Sequence, residues 1–242
     1  MGGTLGEPLR VTRAETVDLT VPADAEIIIE GTIDPENILT DGPFAEWLGY
    51  YGGKRPCYMI DVSCITMRKD AIYHDLAPSQ RDHTVAFVLS NTCAVYDAVK
   101  TVVPSVKKVF LPFSGCCLMR AYVSIAQRIP GEANRAGLAA VNIIDAIRIV
   151  VVVDEDIDVY NEEEVLWAVT TRATPDSDIT VLPNVLGCPL NPMSYGTNHH
   201  EAGPMNSKMI IDATKPVSRP FPDRVTPPED LLNAMKLEDY LK

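Results

Sequence analysis

Residues Asp41 to Gly53 read DGPFAEWLGYYGG. Two carboxylates, Asp41 and Glu46, flank a Gly-Pro turn, with Phe44, Trp47, Tyr50 and Tyr51 close by. A Gly-Pro pair interrupts strand geometry, so side chains on its two sides can converge instead of alternating. Two converging carboxyls beside apolar rings are suited to moving one proton at a reacting carbon. The plainer alternative is a solvated surface turn, and the stretch taken by itself favours that alternative.

Other groups could also do chemistry. His199, His200 and Glu201 are metal-type ligands, but adjacent side chains on an extended loop point apart, and a solvated loop is the expectation. The acids of DEDID, Asp154–Asp158, end an apolar strand, where ligands often bind; they could hold a cation, and capping of the next helix is expected instead. Lys208 and Asp212 could order a loop near the site or form an internal ion pair. Cys116 and Cys117 could expose a thiol, though core packing is expected. The six cysteines show no CxxC pair and no zinc spacing, which points to reduced thiols.

The elements that must position these groups fall into two styles. Up to about residue 75, glycines and prolines separate short alternating segments. ETVDLTVP, AEIIIEG and CYMIDVSCITMR read as strands, with Glu26, Ile28 and Glu30 on one face and Ile27 and Ile29 on the other. From about residue 78 the pattern changes. TVAFVLSNTCAVYDAVKTVV is apolar at helical spacing and stops at Pro104. VKKVFLP and LMRAYVSIAQ are strands, and PGEANRAGLAAVNIIDAI is a helix with a Pro-Gly-Glu start. RIVVVVDEDIDV is a strand buried on both faces. NEEEVLWAVTTR is a helix capped by Asn161. Such alternation implies an α/β fold with a mostly parallel sheet. The stretch from Pro183 to Pro228 reads as loop-rich, and PEDLLNAMKLEDYLK as a closing helix. The β-rich part has too few strands to close a barrel alone.

Composition narrows the function classes. The chain has 242 residues, 46% of them hydrophobic, enough for one large core or two small ones. With 21 basic and 33 acidic residues its net charge is −12, which disfavours nucleic acid and anionic membranes as partners. The start lacks a signal-peptide layout, and the longest apolar run, Ile149–Val153, is too short to cross a bilayer; a cytoplasmic location is expected.

Five segments in order carry a resemblance over nearly the whole chain. They are VPADAEIIIEG at 21–31, DGPFAEWLGYY at 41–51, YVSIAQRIPGEANRAGLAA at 122–140, IVVVVDEDIDVYNEEEVLWAVTTR at 149–172 and KMIIDATKP at 208–216. Together they resemble the carboxy-terminal half of the UbiD-type decarboxylases, which use prenylated flavin mononucleotide. The resemblance implies the end of a split β-barrel over residues 1–77 and a C-terminal α/β oligomerisation domain with a tail helix over 78–242. It implies prenylated FMN as cofactor and a divalent metal, manganese, whose ligands lie outside this chain. The half supplying most flavin contacts and the catalytic arginine would lie outside it too, on a missing segment or a partner chain.

The family pattern at the opening stretch resembles Glu-Gly-Pro-Phe-Gly-Glu, with both acids in a proton relay. The resemblance therefore makes Glu46 the proton donor and Asp41 its supporting acid. Asp41 is one methylene shorter than the usual glutamate, and Ala45 stands where a glycine is usual, which would restrict the turn. The activity implied is non-oxidative, reversible decarboxylation of an aromatic or α,β-unsaturated carboxylic acid by a homo-oligomer. The alternative is a non-catalytic assembly subunit of a UbiD-like complex. An independent nucleotide-binding domain comes last, because no phosphate-loop motif follows any of the expected strands.

Overall fold

The computed structural model describes residues 2–194 and 204–228, together with Leu231 and Ala234. Most of the closing helix expected from Pro228 onward and the His199–Glu201 trio lie outside the described residues. The described chain forms two compact units. The first comprises the residues up to Asn91, Leu111–Arg120 and the stretch Pro183–Ser207; the second comprises Thr92–Phe110, Ala121–Leu182 and the residues from Lys208 on.

The first unit opens with a single turn, α1 (Gly2–Leu5), and a short antiparallel pair, β1 (Val11–Arg13) with β2 (Thr20–Pro22). Its main feature is a long antiparallel ribbon, β3 (Ile27–Asp41) with β4 (Arg55–Met67). Pairing runs from Ile27 opposite Met67 to Asp41 opposite Arg55, with register shifts at Glu30/Gly31 and Ile33/Ile38. Gly31 sits at the first shift because a side chain there would collide with the carbonyl oxygen of Asp61.

Alternation on β3 left open which face is buried, and the face that carries Glu30 turns inward at that residue. Glu30 is the buried residue, 4% exposed, while Ile29 is exposed. The reason is hydrogen-bonding capacity. The Glu30 carboxylate accepts the backbone N–H groups of Glu15 (2.9 Å) and Thr16 (2.7 Å) and the Thr16 hydroxyl (2.8 Å), which tethers the preceding loop to the ribbon. These backbone hydrogen bonds lower the Glu30 pKa from its ordinary value. The ribbon has only two strands and closes no barrel. Ile29, Ile33, Leu39, Ile60, Val62 and Ile65 are all exposed along it.

One helix was expected over residues 84–103; the structure has two, α2 (Arg81–Val85) and α3 (Val88–Val102). At the break, Phe87 N–H bonds Thr84 O in a tight turn, and the Phe87 ring packs edge-on against Trp47, with ring centres 5.6 Å apart.

A five-stranded sheet is the backbone of the second unit, in the order β5-β6-β7-β9-β8. Its strands are β5 (Val106–Phe110), β6 (Arg120–Ile125), β7 (Ile149–Asp154), β8 (Ile179–Leu186) and β9 (Met205–Ala213). The sheet is mixed: β7 and β9 pair in parallel, whereas β5 and β6 form an antiparallel edge. Helices α4 (Glu132–Ile143) and α5 (Glu162–Arg172) pack on β7. Asn161 caps α5 as expected, its Oδ1 accepting the Glu163 N–H at 3.1 Å. One core cluster gathers Tyr122, Val151, Val153, Ile157, Val165 and Ile211.

The interior strand β9 lies in the stretch expected to be loop-rich. Lys208 disguises it. Its ammonium does not reach solvent but donates to the carbonyls of Val141 (2.6 Å) and Ile144 (3.4 Å), serving the open carbonyl end of α4.

The DEDID acids secure α5 from its far end. Arg172, its side chain 1% exposed, donates to Asp154 Oδ2 (3.0 Å) and to both oxygens of Asp156 (2.9 Å each). Lys215 adds its backbone N–H to Asp154 and its ammonium to Asp156, each at 2.7 Å. The cation that these acids hold is thus the protein's own. Burial opposes ionisation of Asp156, but the hydrogen bonds from Arg172 and Lys215 outweigh it and lower its pKa to about 2. Arg172→Met, which leaves both acids only their Lys215 contacts, should cost about 3 kcal/mol in denaturant unfolding. Because Asp156 titrates lower when folded, its contribution is complete above its ordinary pKa of 3.8 and fades as pH falls toward about 2. Acid titration of the melting temperature should show that loss in the parent and a smaller one in Arg172→Met.

Candidate active-site loop

The loop between β3 and β4 is closed by the last cross-strand pair, Asp41 opposite Arg55. Inside it, a smaller turn folds back on itself. Ala45 bridges Tyr51, Gly52 N–H donates to Phe44 O, and Glu46 N–H donates to Tyr50 O. The Gly42–Pro43 peptide is cis. Ala45 is absent from the left-handed residues, so the replacement of glycine does not strain the turn.

Glu46 is 14% exposed, and its Oε1 accepts a hydrogen bond from Arg55 Nη2 at 2.6 Å. Asp41 turns back on its own chain, with Oδ1 accepting the Gly42 N–H at 2.8 Å. The two carboxylates share no hydrogen bond; Arg55 links them, by its backbone to Asp41 and by its guanidinium to Glu46. The expected apolar enclosure is only partly built. Trp47 is buried, but Phe44, Tyr50 and Tyr51 are exposed. A cleft of about 630 Å³ adjoins the loop, lined by Tyr51, Lys54, Arg55, Pro189 and Leu190 among others.

Arg55 is the residue that motif reading missed. Its signal was present in GGKRPC: a strand that starts straight after a glycine-closed loop places its first side chain at the loop's mouth. Gly52 gives this pair its space. A methyl group there would lie 3.2 Å from Arg55 Nη2, Glu46 Cγ and Glu46 Oε1.

The remaining candidates go elsewhere. Lys208 and Asp212 do not pair; Asp212 Oδ1 accepts the N–H and hydroxyl of Thr214, and burial raises its pKa. All six cysteines are unpaired; Cys117 is buried, and burial pushes the thiols of Cys116 and Cys117 up. Among the described residues no group of three or more His, Cys, Asp or Glu side chains could hold a metal ion, and no helix is long and apolar enough to cross a membrane.

Residues 1–81 match the model of the 3-octaprenyl-4-hydroxybenzoate carboxy-lyase Rift-related domain, and residues 86–213 that of the C-terminal domain of the same enzymes. The chain belongs to the UbiD family. The anhydromevalonate phosphate decarboxylase of Methanothermobacter thermautotrophicus is 36% identical over 212 residues, which cover 87% of this chain and 48% of that protein. The UbiD-class enzyme HmfF from Pelotomaculum thermopropionicum, solved with FMN, superposes with a TM-score of 0.88 at 36% identity, over 97% of this chain and 51% of that one. An evolved dimeric form of HmfF was solved with prFMN. The vanillic acid decarboxylase of Sedimentibacter hydroxybenzoicus superposes with a TM-score of 0.76 at 30% identity, over 97% and 52%. The chain spans about half the length of these relatives.

A flavin needs an apolar face for its rings and donors for its phosphate. The open β3–β4 ribbon offers apolar surface, but no glycine-rich loop leads into any described helix. The residues present fit one side of such a site and do not enclose it.

Gly52→Ala should lower stability by about 1 kcal/mol, because the Glu46–Arg55 pair must give way to the added methyl. Gly53→Ala, where a side chain meets nothing within 4 Å, should be silent. Thermal melts of the two variants, run side by side, check this.

Proposed function

We propose that the chain is the protonating half of a non-oxidative, UbiD-like decarboxylase, with Glu46 as proton donor and Asp41 as its supporting acid. The observation that carries this reading is Glu46 itself: a largely buried carboxylate held by Arg55, which lines a cleft, on a loop braced by its own strand pairing. An aromatic or α,β-unsaturated carboxylic acid is the proposed substrate class, supported by the aromatic acid in the name of the Sedimentibacter enzyme.

Prenylated FMN, when bound, supplies the electron sink that lets carbon dioxide leave. The tasks left to this chain are orientation and proton transfer. The lost carbon dioxide must be replaced by one proton at the substrate carbon, and in this reading Glu46 gives it. Run backwards, the same carboxylate takes that proton and the reaction fixes carbon dioxide. Asp41, at the strand end that closes the loop, contributes charge next to Arg55 and sets how the loop leaves the ribbon.

Residues 1–77 act in this reading as the end of the split barrel and 78–242 as the oligomerisation domain. The two family matches meeting between residues 81 and 86 support that division. A two-stranded ribbon with exposed isoleucines on β3 and β4 is marginal by itself. Its apolar surface fits burial against a further segment of the kind its longer relatives contain, carried by a partner chain or a longer form of this one. Light scattering at micromolar concentration should give a dimer or larger; a monomer of 26.5 kDa would count against assembly through this chain.

The decisive experiment is turnover in an assembly holding the other half and cofactor. Glu46→Gln keeps the shape and removes the transferable proton, so it should keep flavin binding and lose about 10²–10⁴-fold in rate. Asp41→Glu restores the family's side-chain length and should retain or raise activity. Parent-like turnover by Glu46→Gln would return the loop to a structural role.

A further inference from the structure

Arg55 is more than a brace. Its side chain is 45% exposed while that of its partner Glu46 is 14% exposed, so the guanidinium covers the acid and also faces the cleft. A guanidinium carries five N–H donors. Among the described residues, Glu46 is the only acceptor hydrogen-bonded to it, through Nη2 alone. The rest of the group rests 5.7 Å from the centre of the Phe44 ring. Lys54, next to it in sequence, lines the same cleft. Two adjacent cations on a cleft wall stand out in a chain of net charge −12. The cleft, about 630 Å³, is the size of a small organic acid's pocket.

A carboxylate in an ion pair accepts hydrogen bonds; a proton donor must give one. If Glu46 is the donor, as proposed above, Arg55 has to move off it during each cycle. We propose that Arg55 is a partner-exchanging latch: at rest it holds Glu46, and an oxyanion of the incoming substrate, carboxylate or phosphate, draws it into the cleft beside Lys54. The exchange replaces one charge-assisted hydrogen bond by a two-pronged contact, which favours the substrate-bound arrangement. Freed of the guanidinium, Glu46 takes one proton from solvent and passes it to the substrate carbon that loses carbon dioxide. Substrate arrival and readiness of the acid are then one event, and Arg55 is both a binding and a positioning residue.

The latch can be tested by binding alone, without turnover. The full chain is titrated calorimetrically with inorganic phosphate and separately with benzoate; whichever binds identifies the oxyanion source. Arg55→Gln should weaken binding about tenfold, the worth of one charge-assisted hydrogen bond, and Arg55→Lys should restore part of it. Glu46→Gln should tighten binding several-fold, because the resident competitor has gone. Glu46→Asp should tighten it as well, since the shorter side chain keeps the charge but loses the reach. General electrostatics would leave Glu46→Asp at parent affinity, and that result overturns the latch. So does failure of both probes to bind the parent, or unchanged affinity in Arg55→Gln. Circular dichroism confirms that each variant is folded, and Arg55→Lys stands in if Arg55→Gln is not. Parent-like turnover by Glu46→Gln in the assembled enzyme would sink the proton-donor reading while leaving these affinities to judge the latch.

Discussion

The register of the β3–β4 ribbon is the constraint on which the candidate site depends. A strand's side chains alternate between two faces, so a slip of one residue would send every one of them to the other side. Asp41 stands opposite Arg55 only because two irregularities, at Glu30/Gly31 and Ile33/Ile38, bring the strands into step. Gly31 leaves room for the first; Glu30, beside it, ties down the incoming loop. The Glu46–Arg55 contact is therefore the end product of geometry set over the whole ribbon. With its guanidinium half-exposed, an ion pair of this kind contributes little to stability. Its position matters more than its energy.

Much of the second unit was legible from local pattern. The apolar run at Ile149–Val153 has no role open to it except an inner strand, and Asn161 followed by three glutamates is a helix start with its charge in the favourable place. β9 was hidden because Lys208 breaks its apolar pattern, and only the three-dimensional partner of that ammonium, the end of α4, explains it. The inward acid Glu30 was hidden for a related reason. Alternation says which residues share a face, but not whether a tethered loop makes the polar face the buried one.

Of the site, the loop and its acids could be read from DGPFAE, while their relationship could not. Spacing suggests that Asp41 and Glu46 converge; in the structure they meet through a third residue, Arg55, nine positions beyond Glu46. Cross-strand neighbours follow from register, and register with two shifts is not written in any short motif. The aromatics were visible too, but only Trp47 found a partner that buries it, the Phe87 ring.

The two units are interleaved along the chain. The first draws on segments before Asn91, between Leu111 and Arg120, and beyond Pro183, and the second on what lies between and after. During synthesis on the ribosome, the first unit cannot be complete until the polypeptide has grown well past Pro183, when most of the second is already made. Folding on the ribosome therefore cannot proceed as one finished domain followed by the next. A gene cut near residue 91 would leave each product lacking part of its own packing.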